Sequence, residues 1–182
     1  MKKKINALLS AAVVSVLFSS NVIAADQGGG DITFKGEIID APCSIESSDT
    51  NQLIDMGSIS NVAVRDDTAT KRYFKIHLIN CDLSKYDTKG KPVTDGSKWK
   101  TVNVTFMGDT INTGKLLRIS DNVGIELTNG GKVLEFGKPS DKMELTSNQQ
   151  MEFYAQVRPI EKGKTVELGQ FNKIARFQLA YQ

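Results

Sequence analysis

Period-two alternation of apolar and polar residues, recurring in short segments along the chain, limits the possible folds more than any other feature of this sequence. Val102, Val104 and Phe106 alternate with Asn103 and Thr105. Ile32, Phe34, Gly36 and Ile38 point one way while Thr33, Lys35 and Glu37 point the other. Such a period belongs to half-buried β-strands. Residues 52–56, 73–79, 124–128, 132–136, 151–157, 165–168 and 174–181 read as further strands, separated by clusters of Gly, Asp, Asn, Lys and Pro. Asn129-Gly130-Gly131 is a hairpin signal, because these residues tolerate positive φ. No segment outside the N-terminal apolar run carries a helical period. Many short strands with regular turn signals predict an all-β sandwich.

The N-terminus sets the compartment. Met1-Lys2-Lys3-Lys4 is a positive leader, residues 5–18 are apolar or small, and Val22-Ile23-Ala24 fits a signal-peptidase site. The apolar run falls short of the ~20 residues of a spanning helix, so residues 1–24 are expected to be a cleaved signal peptide. The whole chain has 23 Lys+Arg and 21 Asp+Glu; without the three leader lysines the balance is 20 against 21, or −1. Neither nucleic acid nor stable membrane insertion is expected of such a chain. The remaining 158 residues (182 less 24) suffice for one domain with its own core.

Cys43 and Cys81 are the only cysteines. In an oxidising compartment they are expected to form one structural disulfide, closing a loop worth ~4 kcal/mol on the chain-entropy model. They lack the C-x-x-C spacing of a redox pair. Catalytic chemistry finds little material. The single histidine, His77, lies by alternation opposite Phe74, Ile76 and Leu78, on the polar face of its strand. No serine motif accompanies it, and no His/Cys ligand set remains for a metal. Asp66, Asp67 and Asp82 lack the acidic spacing of a calcium loop. The Gly28–Gly30 leader lacks the Gly-Lys-Ser/Thr of a phosphate cradle. No enzyme activity and no cofactor are expected. Residues 82–100 are rich in Lys and Asp and include Trp99. They read as a solvated loop with Trp99 tucked at the start of the next strand, the rival being a sugar- or nucleic-acid-binding loop.

Both ends of the mature chain resemble fimbrial subunits of the type 1 and P pilus families. Residues 29–43 carry a flexible leader, an alternating segment with Phe34-Lys35-Gly36 as its F-x-G core, then Cys43. Residues 75–81, ending in Cys81, resemble the second-cysteine strand, and residues 104–108 and 122–127 the middle strands. Phe177-Gln178-Leu179-Ala180-Tyr181-Gln182 ends with the family's penultimate tyrosine, and Gly169 falls fourteenth from the end, where the family's chaperone-binding motif has glycine.

The resemblance implies an incomplete immunoglobulin-like β-sandwich lacking its last strand, with an N-terminal donor-strand extension over residues 25–39 and a pilin domain over 40–182. In that reading the sequence stops directly after its last alternating strand. A periplasmic chaperone lends the missing strand, contacting Gly169, Phe177, Leu179 and Tyr181. An outer-membrane usher then exports the subunit, and a neighbour's Ile32, Phe34, Gly36 and Ile38 replace the chaperone. The implied function is a structural subunit of a surface fimbria. A carbohydrate-binding adhesin, or a minor adaptor or terminator of the same fibre, is the alternative.

Overall fold

A computed structural model describes residues 29–94 and 97–182. The expected signal peptide, residues 1–24, lies outside the described residues. Contacts divide the chain into two units meeting at Ile38 and Ile39. In the first, residues 29–38 have no regular structure. Ile32, Phe34 and Ile38 are exposed at 79, 90 and 103%. The half-buried strand expected over 32–38 is therefore corrected: its alternation is present, but no strand among the described residues pairs with it.

The second unit is built from two antiparallel sheets. The larger runs β1 (Ser44–Ile45), β2 (Arg72–Ile79), β9 (Gln149–Pro159), β6 (Val123–Asn129), β5 (Leu116–Arg118), β4 (Thr110–Ile111), with β7 (Lys132–Leu134) also on β6. The smaller runs β10 (Arg176–Tyr181), β3 (Thr101–Met107), β8 (Met143–Glu144). Alternation explains how they face each other. Ile76 and Leu78 of β2 and Met151, Phe153 and Val157 of β9 are buried against Val102, Val104 and Phe106 of β3. The register of β10 on β3 sets Phe177 opposite Phe106, Leu179 opposite Val104 and Tyr181 opposite Val102.

Two glycine sites are fixed by geometry. Gly130 and Gly131 have φ of +56° and +81° between the paired residues Asn129 and Lys132, the two-residue hairpin turn the sequence announces. At Gly124 a Cβ would lie 2.6 Å from the Leu116 Cβ and 2.7 Å from the Leu117 carbonyl oxygen, so only glycine lets β5 approach β6.

Several expectations are corrected. Residues 52–56 and 165–168 form no strand. A short helix absent from the sequence reading, α1 (Asn61–Arg65), starts where the Ser60 hydroxyl accepts a bond from Val62 N at 3.3 Å. His77 is half-buried rather than exposed. Its backbone N–H and its ring Nδ1 both reach Asp49 Oδ2 at 2.7 Å.

Candidate functional site: an open groove along the sandwich

The two sheets do not close on each other along one side. An open cavity of about 1430 Å³ runs there, with Phe74, Ile76, Phe106 and Ile125 on its floor. Residues 49–59 form one wall and residues 166–177 the other. The floor is aromatic: Phe74 meets Phe106 edge-on at 6.2 Å, and Phe106 lies 6.3 Å from Phe177. These are core side chains of a sandwich, yet they line a cleft.

The backbone along the groove is as unfinished as its floor. β10 is the edge of the small sheet and bonds to β3 alone among the described strands. Residues 49–59 form no strand, and on the other wall only Arg176 and Phe177, at the start of β10, do. Leu53 on one wall and Leu168 and Ile174 on the other are exposed at 92, 76 and 75%. An apolar, unpaired sheet edge of this kind is a template for another strand.

Specific contacts fix the first wall. Cys43 and Cys81 are joined by a disulfide, tying the entry of β1 to the exit of β2. Burial raises the Asp49 carboxyl, but bonds from the His77 amide and ring outweigh it and hold the pKa below the usual range. The Gln52 amide donates to the Lys75 carbonyl at 2.6 Å. Beyond α1, Asp67 is clamped by Arg158, whose Nε donates to Oδ1 at 2.7 Å, and by Lys162 at 3.0 Å. Arg158 also grips both Glu126 oxygens, at 2.8 and 2.9 Å. The Arg158 bond is the main cause holding Asp67 below the ordinary carboxylate range, and Arg158 itself is raised. The wall is thus anchored to β2, and the turn after α1 to β6 and β9.

The singled-out residues fall in separate places. Phe177, Leu179 and Tyr181 share the half-buried, core-facing side of β10, and Phe177 lines the groove. Burial raises the Tyr181 phenol. Gly169 lies on the second wall with φ +153°. Ile32, Phe34, Gly36 and Ile38 belong to the first unit. Trp99 packs on the core and against Tyr181, with Lys85 Nζ 4.5 Å from its ring. Among the described residues no group of His, Cys, Asp or Glu could hold a metal ion, and Asp66 and Asp67 are engaged with Arg65 and Arg158. Sequence reasoning missed Asp49, Phe74, Phe106 and the rim residues Leu53, Leu168 and Ile174. Their only signal was apolar residues at 53, 168 and 174 in segments that form no strand.

Residues 32–182 match the family described as Fimbrial protein. The chain belongs to that family. Over 190 residues this fimbrial protein is 36% identical to the Major MR/P fimbria protein of Proteus mirabilis, covering 100% of both chains. It is 34% identical to the uncharacterized fimbrial-like protein YbgD of Escherichia coli, over 96% of each. Among solved structures it is similar to the P pilus rod subunit PapA, at 28% identity and TM-score 0.64, over 78% of this chain and 100% of that one. A subunit from the structure of a chaperone–usher pilus matches at 30% identity and TM-score 0.67, over 86% and 97%. The fold of this fimbrial protein is an incomplete immunoglobulin-like sandwich.

Proposed function

We propose that the chain is a structural subunit of a surface fimbria, polymerising when residues 26–39 of one copy add as a strand along the groove of the next. One observation carries this reading: the domain has an open aromatic groove beside an unpaired strand edge, and the same chain carries an exposed alternating segment. Seating Ile32, Phe34 and Ile38 contributes roughly 1.5–3 kcal/mol each before ordering costs, with a backbone ladder on β10 besides. Before joining, a periplasmic chaperone occupies the same groove, recognising Gly169 and the face of Phe177, Leu179 and Tyr181. Residues 1–24 direct export and are removed, and an outer-membrane usher passes the subunit to the surface. The role is that of a polymer subunit, not an enzyme.

The test pairs two measurements: recovery of the chaperone–subunit complex from the periplasm, and heat-stable polymer ladders from the cell surface. A Cβ at Gly36 meets nothing within 4 Å in the free chain. Gly36→Val therefore spares the subunit's own fold and blocks joining by a clash in the neighbour's groove. Phe34→Ala weakens joining by a few kcal/mol at most (about 2–4). Both changes leave the chaperone complex intact. Loss of that complex with Gly36→Val, to the same degree as loss of polymer, assigns residues 26–39 to the subunit's own core and ends the proposal.

A further inference from the structure

Residues 82–100 have no task in the polymerisation scheme, yet residues 82–94 and 97–100 are folded back on one another rather than slack. Ser84 bridges to Lys98 and Tyr86 to Pro92. Val93 N donates to Lys85 O, and Trp99 N to Leu83 O, each at 2.8 Å. At the base, Asp82 N donates to Pro42 O at 2.8 Å, beside the disulfide. At the other end Lys100 N and Thr101 N both donate to Gln182 O, at 2.7 and 3.0 Å, and Gln182 N donates to Thr101 O at 2.9 Å. Trp99 lies between these anchorages. Its ring meets Tyr181 edge-on, with centroids 6.4 Å apart and planes at 71°. The Lys85 ammonium lies 4.5 Å from its centroid, close enough to hold the indole in place.

We infer that Trp99 is a positioning residue for strand capture: it braces Tyr181 and the far end of β10, so the edge to which the chaperone adds is already extended. The inference rests on the reading of β10 as the chaperone-recognition strand. A strand end without such contacts frays, and binding must then reverse the fraying. The brace also ties the end of β10, through the Trp99–Leu83 and Asp82–Pro42 bonds, to the disulfide end of the sandwich. A sugar platform at Trp99 would have to share the indole with Lys85 and Tyr181.

The experiment uses the full chain co-produced with its chaperone and compares Trp99→Ala, Trp99→Phe, Tyr181→Ser and Leu116→Ala. The last removes buried bulk on β5, outside the lining of the groove, and serves as the control for lost stability alone. An edge-to-face ring pair accounts for about a two- to tenfold effect. Trp99→Ala is therefore expected to cut chaperone-bound subunit by that factor beyond the Leu116→Ala control, and Trp99→Phe to restore most of it. Amide exchange at residues 179–182 rises selectively in Trp99→Ala. Losses no greater than the control's, or unchanged exchange at residues 179–182, overturn the brace. Full capture of Tyr181→Ser instead overturns the underlying reading of β10, and the inference falls with it.

Discussion

Asp67 shows how one side chain can tie the turn after α1 to the larger sheet. It adopts φ +60°, a conformation asparagine also tolerates, so Asp67→Asn removes the charge and leaves the backbone unstrained. Breaking a buried ion pair costs about 3–5 kcal/mol, and roughly 2–3 is expected here because Arg158 keeps a third of its side chain in water. The pKa of Asp67 is depressed on folding, so its contribution is complete above the unfolded value of about 4 and is lost as pH falls through the folded value. Denaturant titrations of groove-filled subunit should thus show a gap between wild type and Asp67→Asn that is full at pH 7 and shrinks in acid. A gap of equal size at pH 2 would mean that the carboxylate charge is not what anchors this turn.

Among the elements, the disulfide and the strands it joins show what the sequence made legible. Cys43 and Cys81 were readable as a pair from export and number alone, and the structure joins them across β1 and β2. Replacing both by Ala removes ~4 kcal/mol from a stability of about 5–15, so periplasmic yield should fall sharply. Two alkylatable thiols in the native periplasmic subunit, seen by mass spectrometry, would refute the bond. Long strands with clean alternation, such as β3 with Val102, Val104 and Phe106, were legible residue by residue. Elements of two or three residues (β1, β4, β5, β8) were not, since no period fits so few positions. The short helix α1 was hidden for the same reason and offered only Ser60 as a cap. The failed strands at 52–56 and 165–168 are more instructive. Both lie on the groove walls, where Leu53 and Leu168 have no partner strand within the domain. The contact between His77 and Asp49 spans 28 residues, a distance no local pattern reports.

At the scale of the whole molecule the proposed strand exchange makes the subunit's stability depend on a second chain. A peptide of residues 26–39, supplied at a hundredfold excess over its Kd, adds about 2.7 kcal/mol, or about 5–11 °C in Tm for a domain of this size. Subunit released from its chaperone should melt higher as that peptide is titrated, less so with the Phe34→Ala peptide, and not at all with the Gly36→Val peptide. A melting temperature indifferent to the wild-type peptide would leave the groove without its occupant.

Cys43 stands four residues beyond the proposed inserted segment, on the threshold of the domain. In a stretched fibre, tension carried along residues 26–39 would enter the domain at that cysteine. β1, only two residues long, would offer little against peeling. The sulfur–sulfur bond passes the pull directly to the end of β2, whose eight residues are laced to β9 along almost their whole length. A load that would otherwise unzip an edge one bond at a time is delivered to the broadest part of the larger sheet, where many bonds must yield together.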